Sequence, residues 1–406
     1  MSPAETIGER LAELRTRRAF TQEELAELSG VSVATIRKLE QNERTSARMS
    51  TLHRLASALR TTTSELLAAA PKLAGPPSEP DEMTVLALRR ALTPPRGLDG
   101  AFLADAETER PTLDSLRESL RVGRAFYRDS KFSAGVESVS SLMAELRLAT
   151  AVVDGDDRVA LHDLHAKVYQ LAANFLIQLR LFDLAYLALD RSMDSADKAG
   201  DRLLTASSVS TLTFLLLRQG RLNEAARVAT VTADQIEPKL STASQRHVSL
   251  WGWLLLGGSA AAVRDNQHAE ADDILSLARA AAARVDGYAD GLGAPFGPER
   301  VIIQAVENKV IEGEPEKALA ISARIPPTGD ETMSHRCRHL LDVASAQTDL
   351  RQYAEATETL TSVYRTVPEW IRYQRYARET VSRLIKKRKR TISPELRELA
   401  DFLRVV

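Results

Sequence analysis

Residues 21–40 run Thr21-Gln22-Glu23-Glu24-Leu25-Ala26-Glu27-Leu28-Ser29-Gly30-Val31-Ser32-Val33-Ala34-Thr35-Ile36-Arg37-Lys38-Leu39-Glu40. Thr21 and Glu24 have the spacing of a capping box, in which side chain and backbone satisfy two orphan amides reciprocally at the start of a helix. That helix is expected to turn Leu25, Ala26 and Leu28 inward. Ser29-Gly30-Val31 reads as a tight turn with Gly30 at positive φ, which glycine adopts without steric cost. Ser32 then caps a third helix, expected over Val33–Gln41, whose Ile36 and Leu39 face a core. Its opposite face carries Ala34, Arg37, Lys38 and Gln41.

Working outward, Ile7, Leu11 and Leu14 recur at helical spacing and predict a first helix. A fourth, at about Ser50–Leu59, buries Leu52, Leu55 and Leu59, and Thr63 opens a fifth that contributes Leu66 and Leu67. Five short helices with a glycine turn between the second and third resemble the XRE family, the lambda-repressor-like helix-turn-helix proteins. The matching residues are Thr21-Gln22-Glu23-Glu24-Leu25-Ala26, Ser29-Gly30-Val31-Ser32 and Ile36-Arg37-Lys38-Leu39-Glu40, and the likeness covers the segment 5–68. It implies that Gln22 holds a phosphate, that Val33, Ala34, Arg37 and Lys38 enter a major groove, and that Asn42 and Arg44 grip the DNA backbone. Arg15 and Glu40 match a buried ion pair of that family and are assigned a structural role. With Ser32, Thr35 and Gln41 beside them, these residues complete the candidate set for double-stranded DNA. Chemistry agrees with the implication. An exposed helix N-terminus favours phosphate, Arg37 can pair bidentately with guanine, and Val33 and Ala34 can touch thymine methyls. Arg17, Arg18, Arg48 and Arg54 are as well explained by ordinary solvated charge. One small module binds weakly, so a homodimer reading two half-sites about 10 base pairs apart, or a multiple of that, is expected.

The bulk numbers bound the rest. The 406 residues are 44% hydrophobic and 27% charged, with a formal net charge of −1, so nucleic-acid affinity must come from a local stripe of cations rather than a global field. Aromatics are only 5%, and Ala, Leu and Arg recur throughout, a balance that favours helices. A lone cysteine, Cys337, excludes an internal disulfide and suits a reducing compartment. The N-terminal residues lack the pattern of a signal peptide, and the apolar runs are too short to cross a bilayer. A cytoplasmic protein without membrane contact is the expectation.

The expected domains are 1–70, a linker over 71–111, and 112–406. Pro71, Pro76, Pro77 and Pro80 forbid helix continuation, and a short helix at about Met83–Leu92 precedes a second break at Pro94-Pro95-Arg96-Gly97. Beyond Thr112 the chain predicts helices joined by five related turns, each closed by an alanine, at 185, 225, 271, 318 and 356. A related turn, Lys131-Phe132-Ser133-Ala134-Gly135, precedes them. A small residue just after each turn lets the two helices pack closely. This pattern resembles the tetratricopeptide repeat, although its spacings of 40, 46, 47 and 38 exceed that repeat's period of about 34 residues, so some helices or loops must be extended. The fold class is therefore all-α: a five-helix head followed by a superhelix of helical hairpins, with a final helix at about Pro394–Leu403 as a cap. An irregular all-helical domain is the alternative.

Stacked hairpins present a concave face lined by the first helix of each pair. Counting back from the turn alanines places Arg117, Arg124, Arg128, Lys167, Gln170, Asn174, Gln178, Phe214, Arg218, Trp253, Arg264, Arg300 and Glu307 there. Asn and Gln amides can clamp a peptide backbone, and arginines can hold a carboxylate. Head and array together resemble the RRNPP regulators, which implies a signalling peptide or small ligand in the groove. An interaction scaffold tethered to DNA is the competing class, and a ligand-free repressor a third.

No cofactor, metal or catalytic chemistry is expected. His335 and His339 share a helical face, but Cys337 points elsewhere and two arginines flank it. His162-Asp163-Leu164-His165 reads as a polar rim. The glycines at 287, 291, 293 and 297 follow no strand and mark a loop. The basic run Lys386–Arg390 reads as a solvated face, being far from the head in sequence.

Overall fold

The computed structural model describes residues 6–405 apart from 19, 45–46, 64–65, 67–81, 96, 99–110, 151–154, 156, 287–291, 294, 326–331 and 388–391. Four helices open the chain: α1 (Ile7–Arg17), α2 (Gln22–Ser29), α3 (Val33–Glu40) and α4 (Met49–Ala58). Both α1 and α2 begin with a complete capping box, Thr6 with Glu9 and Thr21 with Glu24. Gly30 closes α2 at φ 61°, as the turn demands, and Ser32 caps α3 by accepting from the Thr35 amide at 3.3 Å. A Cβ built on Gly8 would lie 1.9 Å from the Leu39 carbonyl oxygen, so α1 and α3 meet backbone to backbone and only glycine fits there. Leu11, Leu14, Leu25, Ile36, Leu39, Leu52, Leu55, Leu59 and Leu66 form the core of this head. One expected core residue is displaced. Leu28 is 59% exposed, and Ser29, one turn beyond Leu25, takes the inward position with its hydroxyl donating to the Leu25 carbonyl. Of the fifth helix, Thr63 and Leu66 are described and buried, while Leu67 lies outside the described residues, as does the proline-rich stretch 71–81.

Among the described residues sixteen further helices follow: α5 (Glu82–Leu92), α6 (Leu113–Arg128), α7 (Phe132–Thr150), α8 (Asp157–Gln178), α9 (Phe182–Lys198), α10 (Arg202–Gln219), α11 (Leu222–Gln235), α12 (Gln245–Arg264), α13 (His268–Ala282), α14 (Pro298–Glu312), α15 (Pro315–Ser322), α16 (Met333–Asp349), α17 (Tyr353–Thr366), α18 (Pro368–Arg372), α19 (Arg375–Lys387) and α20 (Pro394–Phe402). Six turns between them share one backbone solution. A left-handed residue (Ser130, Arg180, Gly220, Asn266, Gly313 or Arg351) ends one helix, and the next residue's amide reaches back five residues to a carbonyl of that helix. This is the closure of a Schellman-type cap, which satisfies carbonyls left over at a helix end. Four residues after each N-cap comes Gly135, Ala185, Ala225, Ala271, Ala318 or Ala356. The five alanines are fully buried, and a Cβ on Gly135 would lie 2.2 Å from the Phe175 ring. The small residues therefore mark where paired helices touch. The two long spacings are taken up between hairpins, over 236–244 and 283–297, rather than within the turns. Phe296 anchors the second of these by lying over Gly252.

Two contacts join regions that the sequence reading keeps apart. The helix assigned to a linker, α5, buries Leu88, Ala91 and Leu92 in the core of the array, and Arg147 donates to the Ala91 carbonyl at 2.8 Å. Second, α4 of the head packs against α12 and α14. There His53, 3% exposed, meets His268 with ring nitrogens 2.9 Å apart.

Candidate nucleic-acid interface and groove

On α3, Ala34, Arg37 and Lys38 are exposed, as is Gln41 at its C-cap, Val33 and Thr35 are half-buried, and the Ser32 hydroxyl lies 2.8 Å from that of Thr35. The helix is held from behind by Glu40, whose side chain is 6% exposed. Its carboxylate accepts from Arg15 Nε at 2.7 Å and Nη2 at 2.9 Å, and from Gln22 Nε2 at 2.7 Å. One carboxylate thus ties α1, α2 and α3 together, and the same bond raises the Arg15 guanidinium above its ordinary range. The Gln22 side chain is engaged there, and the Glu24 amide is taken by the capping box, so of the first turn of α2 the backbone amides of Gln22 and Glu23 remain outside these bonds. Asn42 sits in the left-handed region at φ 57°, and the Arg44 amide bonds the Lys38 carbonyl, which folds the loop after α3 back against that helix.

Ten of the thirteen residues expected on the concave face line one cavity of about 760 Å³. Arg117, Arg124 and Arg128 come from α6, Lys167, Gln170, Asn174 and Gln178 from α8, and Phe214, Trp253 and Arg300 from α10, α12 and α14. Every one stands on the first helix of its pair. Arg300 stacks 5.4 Å from the centre of the Trp253 ring. Gln170 is buried and bound to Ser207 and Thr211, so it serves the wall of the cavity. Asn174 makes no side-chain hydrogen bond among the described residues, which leaves its amide for whatever enters. Three expected residues lie elsewhere. Arg218 lies over the Phe214 ring, 4.9 Å from its centre, and burial pulls its guanidinium down to about 9. Arg264 and Glu307 pair with each other at 2.5 Å, and Arg338 joins them at 3.1 Å. These charges sit further along α12 and α14 than the cavity reaches, and the arginines hold Glu307 far below the usual carboxylate range against the opposing effect of burial.

A helix-turn-helix family profile matches residues 11–66. The Bacillus subtilis (strain 168) protein described as an uncharacterized HTH-type transcriptional regulator, RghRB, is 39% identical over 79 residues, which are 20% of this chain and 55% of that protein. The chain carries a helix-turn-helix domain. Its turn is the Gly30 bend between α2 and α3.

Sequence reasoning missed several residues around the array. Arg121, which lines the cavity, was legible as part of a stripe with Arg117, Arg124 and Arg128 on α6. Gly293, Pro295 and His335 carry no such signal, because a loop and the start of another hairpin bring them in. His335 lies tilted against Trp253, ring centres 5.5 Å apart, and His339 bonds the Ser322 hydroxyl at 3.0 Å. His165 is buried against the Thr150 hydroxyl at 2.9 Å rather than standing on a rim. Among the described residues no helix is long and apolar enough to cross a membrane. Of the basic run, Lys386 and Lys387 are described and exposed, while 388–390 lie outside the described residues. Lys386 nonetheless shares a cleft with Arg44 and Arg48 of the helix-turn-helix domain, despite its distance in sequence.

Proposed function

We propose that the protein is a sequence-specific DNA-binding transcriptional regulator whose helical array takes a signalling peptide or small anionic ligand. The observation that carries the DNA half is the face of α3, with Arg37, Lys38 and Gln41 in solvent and Glu40 locked behind them. Val33, Ala34 and Arg37 supply methyl contact and a guanine donor pair, the chemistry of base reading. Gln22 at the start of α2 and Asn42 and Arg44 beyond α3 would set the register on the backbone.

The tetratricopeptide-like, RRNPP-like reading of the array is supported by the six equivalent turns and by a cavity on the first helices of the pairs. Its cations surround Asn174 and the aromatic faces of Phe214 and Trp253. A carboxylate beside an apolar or aromatic group fits that lining. The ligand would act by binding one arrangement of the array better than another. Two chains would place two heads on a two-fold operator, with the array as the joint.

The test is footprinting on duplexes from the region upstream of the protein's own coding sequence, with and without a low-mass peptide fraction of the culture medium. The reading expects a footprint that the fraction shifts in wild type and not in Asn174→Ala. A footprint indifferent to the fraction would remove the ligand half, and light scattering that gives a monomer on a half-site would remove the dimer.

A further inference from the structure

The basic cleft beside Lys386 has no place in the helix-turn-helix reading or in the array's cavity. Three distant pieces of chain build it: the loop after α3 with Arg44 and the N-cap of α4 with Arg48, then α19 with Arg375, Arg378 and Lys386, then Arg404 beyond α20. Its volume is about 300 Å³. Among the described residues seven cations line it against one carboxylate, Glu379, which bonds Arg375 at 2.7 Å, and the buried Arg383 is held by Asp349 at 2.8 Å. In a chain of net charge −1 this is a strong local excess. Burial first, and then the neighbouring Arg383, hold the Arg48 guanidinium down to about 10.

We propose that this seam is a second phosphate-binding surface, contributed jointly by head and array, which holds the DNA backbone flanking the bases that α3 reads. The inference rests on the DNA-binding reading above. Continuity selects DNA over a free anion. The Arg44 amide is bonded to the Lys38 carbonyl at 2.9 Å, so the cleft begins where the exposed face of α3 ends. A strand lying along Arg37 and Lys38 runs on toward Arg44 and then meets Lys386 and Arg404, both exposed. The docked head is then a DNA-binding posture, and the array adds affinity without adding sequence preference, since phosphate contacts position and do not specify.

The experiment measures affinity of the full chain against salt for a duplex that just covers the α3 site and for one extended by about a helical turn on each side. Wild type is compared with Lys386→Ala/Arg404→Ala and with Arg37→Ala/Lys38→Ala. Each phosphate contact contributes about 0.9 to the slope of log affinity on log salt, so the seam variant should lower the slope by about 1.8 on the long duplex. It should change little on the short one and keep the wild-type preference between sequences. An unchanged slope on the long duplex, or an equal loss on both lengths, overturns the proposal. So does inorganic phosphate that raises the melting temperature of wild type but not of the seam variant while the slope stays put, because the cleft is then a free-anion site. If the seam variant behaves as expected while Arg37→Ala/Lys38→Ala leaves sequence preference intact, the base-reading role of α3 fails and the seam stands. Salt-insensitive binding by wild type removes both.

Discussion

The two candidate surfaces deploy cations in opposite ways. On α3, Arg37 and Lys38 stand on a convex ridge in solvent, and the residue that matters for the fold is the carboxylate behind them, Glu40. In the groove the cations ring a concavity whose polar wall, Gln170 and Gln178, is already bonded to other side chains. A ridge can enter a duplex and needs only to be aimed. A concavity must enclose its ligand, and part of its polarity is needed to keep the walls in place. Function and stability should therefore separate cleanly on the ridge and only at particular residues in the groove.

The largest effect should follow from breaking the aim of the ridge. Glu40→Ala strands the Arg15 guanidinium and the Gln22 amide at the junction of three helices. A loss of about 3 kcal/mol from the stability of the head is expected, since removal of one partner of a largely buried pair leaves an uncompensated charge. Urea unfolding of the full chain followed at the head measures this. A loss below about 1 kcal/mol would show that Glu40 is not the anchor. In the groove the matching test is Asn174→Ala. Stability should stay within about 0.5 kcal/mol. Binding of a culture-derived peptide, followed by calorimetry, should weaken roughly tenfold, the worth of one lost hydrogen bond. A variant that unfolds instead would make Asn174 part of the wall, like Gln170.

The smallest effect concerns the joint between the two regions. Burial first, and then His268, pull His53 down from an ordinary imidazole range to about 4. A group with a depressed folded pKa contributes its stability above the unfolded value, here about 6.5, and loses it as pH falls toward the folded one. The melting temperature of wild type should therefore fall faster between pH 6.5 and 4 than that of His53→Gln, with the two profiles parallel above that window. Parallel profiles throughout would mean that the imidazole is free to charge without undocking the head.

Much of this was legible in the sequence, for reasons that differ between the regions. The capping boxes, the Gly30 bend and the closing alanines could be read because each is a local demand of the backbone or of close helix contact. The groove residues followed from counting along helices whose turns were fixed. What failed was long-range. Leu28 was misplaced because an eight-residue helix has only two core positions, and Ser29 took the second. The docking of His53 on His268 joins residues 215 apart with no periodic signal. Arg264 and Glu307 satisfied the helical count but paired with each other. Lys386 was judged by sequence distance, which the last helices of the array cancel by returning to the head.

The most direct test of the central claim is the affinity of the full chain for a duplex from its own upstream region, titrated with salt, for wild type and Arg37→Ala/Lys38→Ala. The account predicts steep salt dependence for wild type and a loss of preference for that duplex over a scrambled one of about 10-fold to 100-fold in the variant, with an unchanged melting temperature. Equal preference in the two proteins would contradict it.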